Sequence, residues 1–349
     1  MTRPRSDDRE EERLVGGEAV IEDEQLDTSL RPRSLDEYVG QEPVREQLGI
    51  QLEAARRRGD PLEHVLLAGP PGLGKTTLAY IVANELGVAV RTSSGPAIDH
   101  AGALGSILMQ LAERDVFFID EIHRLSHVVE EALYPAMEEY TFDTVLGKGV
   151  GASAVRLPLQ RFTCVGATTR QGLLSAPLRD RFGAVYRLDF YTRPELERIV
   201  RRSARILAVE VEEEAIGEIA RRSRGTPRIA NRLLRRVRDY AEVRADGRAS
   251  LEVTRQALAM LDVDGEGLDP LDRRILETII TRFGGGPVGL DTIATSLSEE
   301  PETIEDVYEP FLMQQGFIQR TSRGRMATEL AYRHLGLNPP EGGMQQRLI

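Results

Sequence analysis

The stretch Gly69-Pro70-Pro71-Gly72-Leu73-Gly74-Lys75-Thr76 satisfies the pattern G-x-x-x-x-G-K-[ST] at every constrained position. It follows the apolar run His64–Ala68 and precedes a helical pattern from Lys75 to Leu86. That context matters, because a glycine-rich turn between a buried strand and a helix lets backbone N–H groups face inward on phosphate oxygens. The new helix also directs its positive end at the anion. Gly72 and Gly74 supply the turn and Lys75 reaches the β- and γ-phosphates. Thr76 places a hydroxyl on Mg²⁺, so ATP and Mg²⁺ are the expected ligands. Of 45 basic residues only Lys75 and Lys148 are lysine, in a chain that otherwise uses arginine. A compact ammonium, rather than a planar fork, is what this loop needs.

Outward from the loop, four more apolar strands are expected at Val88–Arg91, Val116–Ile119, Phe162–Ala167 and Ala184–Leu188. Helical patterns lie between them, so the large domain is expected to be an α/β P-loop domain with a five-stranded parallel sheet. Asp120 and Glu121 end the run Val116-Phe117-Phe118-Ile119. The carboxyl end of a buried parallel strand faces the ligand crevice. Asp120 would hold the Mg²⁺ shell and Glu121 would orient or deprotonate the attacking water; either alone would read as an acidic helix cap. Thr168 and Thr169 end the next strand, where a hydroxyl can sense the γ-phosphate. In Leu178-Arg179-Asp180-Arg181-Phe182, either arginine can reach into a neighbour's site and stabilise charge during phosphoryl transfer. Alone, the pair reads as surface ion pairs. Gly225-Thr226-Pro227-Arg228 opens a later helix, from which Arg228 can close over the phosphates.

The 349 residues are enough for two or three domains. Residues 1–27 read as a disordered acidic tail; residues 1–29 carry four Arg against ten acids, a net of −6. The P-loop domain spans 28–192. Strand signal is absent from Pro194 to Met260, and residues 193–264 read as a small helical domain with a net charge of +5 over 193–248. Asp264-Gly265-Glu266-Gly267 reads as a flexible joint. Residues 265–338 hold three helices and a hairpin, Phe317–Arg320 with Arg325–Thr328, the winged form of a helix-turn-helix. A tail, 339–349, follows. The overall net charge of −11 argues against nonspecific nucleic-acid binding, but residues 313–335 carry +3. Arg320, Arg323 and Arg325 on that wing suit phosphate contact, or a solvated charged turn. The single cysteine, Cys164, excludes an intrachain disulfide and reads as a buried structural thiol. No leader or membrane span is legible, so a cytoplasmic location and no membrane partner are expected.

These residues resemble the AAA+ ATPases and, within them, the RuvB family of Holliday-junction motors. The resemblance covers about residues 28–335. It rests on Leu30-Arg31-Pro32, the phosphate loop through Thr77, Asp120-Glu121-Ile122-His123, Leu133-Tyr134-Pro135-Ala136-Met137-Glu138, Gly166-Ala167-Thr168-Thr169, Arg181-Phe182-Gly183 and Gly225-Thr226-Pro227-Arg228. It implies that Leu30 and Arg31 line an adenine pocket and that Thr77, Glu138, Glu139, Tyr140, Tyr191 and Arg228 contact nucleotide. Thr169 would be the first sensor, and Arg181 the finger supplied in trans, with Arg179 as the other choice. A hairpin over 140–157, tipped by Gly147-Lys148-Gly149, would dock a RuvA-type junction-binding protein; a sheet-edge decoration is the plainer reading. A homohexamer on double-stranded DNA at Holliday junctions, with a RuvC-type resolvase in the larger complex, completes the implied assembly.

The leading expectation is therefore an ATP-driven DNA motor acting in recombination and repair. A protein-remodelling ATPase would carry an aromatic pore loop after the second strand, where Thr92-Ser93-Ser94-Gly95-Pro96-Ala97-Ile98 has none. A clamp-loader-like switch would lack the partner hairpin. A scaffold that binds ATP without hydrolysis would not need Glu121.

Overall fold

The computed structural model describes residues 29–146 and 153–339. The acidic stretch 1–27, the hairpin tip Gly147-Lys148-Gly149 and residues 340–349 lie outside them. The described residues form two compact units, one within Arg31–Tyr191 and the other from Thr192 onward together with Leu30.

The first unit is a parallel five-stranded sheet. Its strands are β1 (Val65–Ala68), β2 (Val90–Ser94), β3 (Val116–Asp120), β6 (Thr163–Thr168) and β7 (Ala184–Arg187), in the order β2-β3-β6-β1-β7. The two segments between β3 and β6 are β4 (Thr141–Leu146) and β5 (Ser153–Pro158), which pair antiparallel as a hairpin from Thr141↔Pro158 to Leu146↔Ser153. Helices α1 (Glu42–Arg58), α2 (Lys75–Leu86), α3 (Ala101–Leu108) and α4 (His127–Glu138) lie between or beside the strands. Strand β6 is buried along its whole length, as a central strand covered on both faces must be. Phe117, Ile119, Phe162, Cys164, Leu178 and Phe182 share one core cluster. Each fully buried side chain of this size contributes about 2 kcal/mol relative to exposure. Burial pushes the Cys164 thiol up to about 12, which keeps it an inert packing group.

The second unit starts with α5 (Arg193–Ile206), whose N-terminus is closed by a capping box between Thr192 and Glu195. There follow α6 (Glu213–Arg221), α7 (Pro227–Arg244) and α8 (Leu251–Met260). Two short strands the sequence did not reveal, β8 (Glu210–Val211) and β9 (Arg248–Ala249), pair in parallel between these helices. Two residues are too few to display a period of two.

The turn expected as a joint, 264–267, is crossed by side-chain hydrogen bonds. Asp264 Oδ1 accepts the backbone N–H groups of Glu266 and Leu268, both at 2.9 Å. Its Oδ2 lies 2.8 Å from His334 Nε2, and Arg221 donates to the Gly265 carbonyl. Glycine content marked the turn, but the side chains that tie it down lie up to 70 residues away.

Beyond the turn come α9 (Pro270–Glu277), α10 (Leu290–Leu297), α11 (Glu309–Gln314), and the wing strands β10 (Ile318–Thr321) and β11 (Gly324–Ala327), closed by α12 (Glu329–His334). The strands pair antiparallel, Arg320 opposite Arg325. The third of the three helices expected in this module is a chain of shorter pieces, with a widened turn at Ile304–Tyr308 before α11. Tyr308, Phe311, Leu312 and Ile318 lie in its core.

Candidate active site

The phosphate loop leaves β1 and enters α2 at Lys75 through left-handed backbone at Gly72 (φ 79°) and Gly74 (φ 95°). A Cβ on Gly74 would meet Tyr38 Oη at 2.9 Å, and one on Gly69 would meet the Leu188 carbonyl at 2.6 Å. Only glycine fits either position. Lys75 is buried, and its ammonium donates to the Gly69 and Pro70 carbonyls at 2.7 and 2.9 Å. The ammonium is thus held inside the loop that a phosphate would enter. Thr76 and Thr77 follow in the first turn of α2, half-buried. This donor set suits Mg-ATP: a glycine cradle, a captive ammonium and a hydroxyl at a helix start.

The side of the loop is closed by two tyrosines. Tyr191 Oη donates to Tyr38 Oη at 3.0 Å, and both hydroxyls lie 3.3 Å from the Leu73 carbonyl. Burial pushes the Tyr38 hydroxyl well above its ordinary value, so it stays protonated. Sequence reasoning singled out Tyr191 and missed Tyr38, whose only signal was an aromatic in an otherwise polar lead-in. Arg31 lies over the Tyr80 ring, 5.5 Å from its centroid. Leu30 is buried, and its carbonyl accepts from Arg202 at 2.7 Å.

Strands β3 and β6 are neighbours, so the residues that end them meet. Asp120 Oδ1 accepts the Glu121 N–H at 2.9 Å. Glu121 has a left-handed backbone (φ 45°), a strained geometry for a side chain with a Cβ. Its Oε2 accepts from Thr169 Oγ1 at 3.1 Å and from Thr169 N at 3.3 Å. His123 Nδ1 lies 3.2 Å from the same oxygen and 3.0 Å from Thr168 Oγ1. The structure therefore brings Glu121 and Thr169 together and adds His123 and Thr168 to them. Sequence reading had placed Thr168 and His123 beside these residues, but not the hydrogen bond between their side chains. The Gly69 N–H donates to the Thr168 carbonyl at 3.1 Å, which ties the loop to the same strand end.

Arg181 lies on its own domain. Its Nη1 donates to the Pro177 carbonyl at 2.7 Å and its Nη2 is 3.2 Å from Glu138. The guanidinium carbon sits 4.1 Å from the centroid of the Tyr134 ring. Arg179 is exposed, with Asp180 at 3.8 Å. Glu139 lies at the start of the hairpin, 3.1 Å from Arg156, with Tyr140 next to it at the left-handed φ of 53°. Arg228 is exposed in the first turn of α7.

The three wing arginines differ. Arg323 is exposed at the turn. Arg320 is 55% exposed and lies 3.3 Å from Glu305. Arg325 is buried, and its Nε and Nη2 both donate to Glu309 Oε2, at 3.0 and 2.7 Å. Arg325 thus packs the wing onto α11, while Arg320 and Arg323 present charge outward. Among the described residues no helix is long and apolar enough to cross a membrane.

Three family models cover this chain in succession. They are the Holliday junction DNA helicase RuvB P-loop domain over residues 30–188, the RuvB AAA lid domain over 191–264 and the RuvB C-terminal winged helix domain over 265–336. The Holliday junction branch migration complex subunit RuvB of Dehalococcoides mccartyi (strain CBDB1) is 58% identical over 329 residues, 94% of each chain. The solved Thermotoga maritima RuvB Holliday junction branch migration motor is 51% identical. It covers 89% of this chain and all (100%) of its own, with a TM-score of 0.82. A mutant of that protein superposes at a TM-score of 0.83 with 52% identity, covering 89% of this chain and 99% of its own. With its phosphate loop, acidic strand end, lid and wing all inside matched segments, the chain belongs to the RuvB family.

Proposed function

We propose that this chain is the motor subunit of a branch-migration complex, hydrolysing ATP to drive duplex DNA through a four-way junction. The observation that carries this reading is the Glu121 carboxylate held on Thr169 at the ends of adjacent strands, beside a loop with a captive lysine. Lys75 stabilises the charge that develops on ATP's terminal phosphates, and backbone N–H groups of Gly72 and Gly74 cradle them. Glu121 accepts a hydrogen bond from the attacking water and orients it. Thr169, already bonded to Glu121, reports the state of the phosphate to it. Thr76 and Asp120 are the residues that would hold Mg²⁺, which supplies neutralisation of phosphate charge.

Leu30, Arg31 and Tyr191 frame the adenine side. Thr77, Glu138, Glu139 and Tyr140 add further nucleotide contacts, and Arg228 closes from the lid. Arg181 completes the site of a neighbouring copy, which makes a ring, a homohexamer, the working form. Tyr134 and Glu138 keep that guanidinium at the domain surface until a neighbour arrives. The β4–β5 hairpin receives a RuvA-type partner, and a RuvC-type resolvase joins the larger complex. Arg320 and Arg323 meet DNA phosphates.

The test is Glu121→Gln, which keeps the side chain's shape but not its charge. ATP turnover should fall about 10²–10⁴-fold, with ATP affinity unchanged. Turnover within tenfold of the parent would remove Glu121 from the chemistry and with it the hydrolytic reading.

A further inference from the structure

Arg228, in the first turn of α7, and Arg224, in the loop before it, have different surroundings. Arg228 is exposed at the start of α7, where the proposed function has it meet nucleotide. Arg224, four residues earlier, is 3% exposed and adopts a left-handed backbone, φ 54°. That inversion sends its side chain into the C-terminal module. Its Nη1 donates to Asp272 Oδ2 at 2.7 Å and its Nη2 reaches the Val307 carbonyl at 3.5 Å. The guanidinium carbon lies 4.3 Å from the centroid of the Phe311 ring and 5.4 Å from that of Tyr308.

The receiving site is rigid. Asp272 is wholly buried in the first turn of α9, where it and Asp269 form a reciprocal cap. Its Oδ2 accepts the Asp269 N–H at 2.9 Å, and Asp269 Oδ1 accepts from Leu271 and Asp272. The sending loop is equally constrained. Ser223 Oγ donates to the Ile219 carbonyl, Thr226 N–H donates to the Ser223 carbonyl at 3.0 Å, and Pro227 starts α7. A buried ion pair is a poor source of stability compared with apolar packing of the same volume. It is, however, directional, and fixes one geometry where an apolar contact would allow sliding.

We propose that Arg224 is a positioning residue that couples the nucleotide-facing loop of the lid to the winged module. A displacement of the loop at Arg228 is passed to α9 and α11 through the Arg224–Asp272 pair, and from α11 to the wing through Glu309 and Arg325. The inference rests on the nucleotide role of Arg228 given above. Nothing in it depends on Arg224 touching ATP or DNA.

The probe is the double variant Arg224→Met with Asp272→Asn in the full chain, which removes both charges and keeps the volumes. It should fold, because the Asn oxygen can still accept the Asp269 N–H and Met keeps an apolar contact with Phe311 and Tyr308. Amide hydrogen exchange of residues 318–327 is compared with ADP and with a non-hydrolysable ATP analogue, alongside ATP turnover with and without DNA. The parent should change wing exchange between the two nucleotides and be stimulated by DNA. The double variant should lose both responses while its DNA-free turnover stays within about twofold of the parent. Arg224→Lys, which keeps the charge but not the fork, should recover part of the response. A double variant that keeps the nucleotide-dependent wing response overturns the coupling. So does a parent without one, and so does a variant in which wing response and DNA-free turnover fall in proportion. A parent that responds at the wing but never moves a junction would leave the coupling standing and sink the branch-migration reading.

Discussion

At the scale of residues, Lys75 shows what the structure adds to the motif: its ammonium donates to the Gly69 and Pro70 carbonyls of its own loop. Gly74 sets the limit on that geometry. Gly74→Ala adds a Cβ at 2.9 Å from Tyr38 Oη to a backbone at φ 95°, a strain of about 1–3 kcal/mol. ATP affinity should drop at least tenfold in a direct binding titration; unchanged affinity would mean the cradle is softer than its geometry implies. His64 gives a second test at this scale. Its Nδ1 accepts the Cys164 N–H at 2.9 Å and its Nε2 donates to the Met137 carbonyl at 2.9 Å, so the buried ring must be neutral. Burial holds its pKa below the ordinary histidine value. The unfolded chain therefore binds this proton first, and the stability His64 contributes is complete above about pH 6.5 and lost as pH falls below it. Melting curves of the parent from pH 8 to 5.5 should show that loss, and His64→Gln should flatten it. Equal slopes for the two proteins would exclude His64 as the cause. None of this partnership was legible in the sequence, because Cys164 and Met137 lie 100 and 73 residues away.

At the scale of elements, the strands were readable because buried parallel strands are continuous apolar runs, and all five fell within a few residues of their expected bounds. The helices of the winged module were located, but not the widened turns inside them, which leave no compositional trace. The wing illustrates what spacing cannot provide. Arg320, Arg323 and Arg325 look alike in sequence, yet only Arg325 is buried against Glu309. Glu309→Ala leaves that guanidinium buried with only Glu305, 3.7 Å away, opposite its charge, a cost of up to about 3–5 kcal/mol. The Arg320–Glu305 pair is solvent-exposed and worth about 1 kcal/mol or less. Chemical denaturation should separate the two: Glu309→Ala strongly destabilises the winged module, whereas Arg320→Ala leaves stability nearly unchanged and weakens DNA binding. If Arg320→Ala proved the more destabilising, the packing role assigned to Arg325 would be wrong.

At the scale of the whole molecule, the two compact units divide the labour. One holds the phosphate loop, Asp120, Glu121 and Thr169; the other holds Arg228 and the wing. The lid and the winged module, on either side of 264–267, fall in one compact unit, and side-chain hydrogen bonds cross the turn between them. Glycine content could not report hydrogen bonds made by residues so distant in sequence. Arg181 belongs to this scale because its proposed target is another copy of the chain. Arg181→Ala should leave ATP binding intact and reduce steady-state turnover about 10³-fold or more. Mixing it with Glu121→Gln protein should restore some turnover, because each lacks what the other supplies. No recovery at any ratio would place the arginine's role within its own protomer. The most direct measurement of the central claim is dissociation of a labelled four-way DNA junction by the full chain with ATP, Mg²⁺ and a RuvA-type partner. The account predicts junction loss that requires hydrolysable ATP and disappears with Glu121→Gln. An intact junction under every condition, with ATP turnover unaffected by DNA, would contradict it.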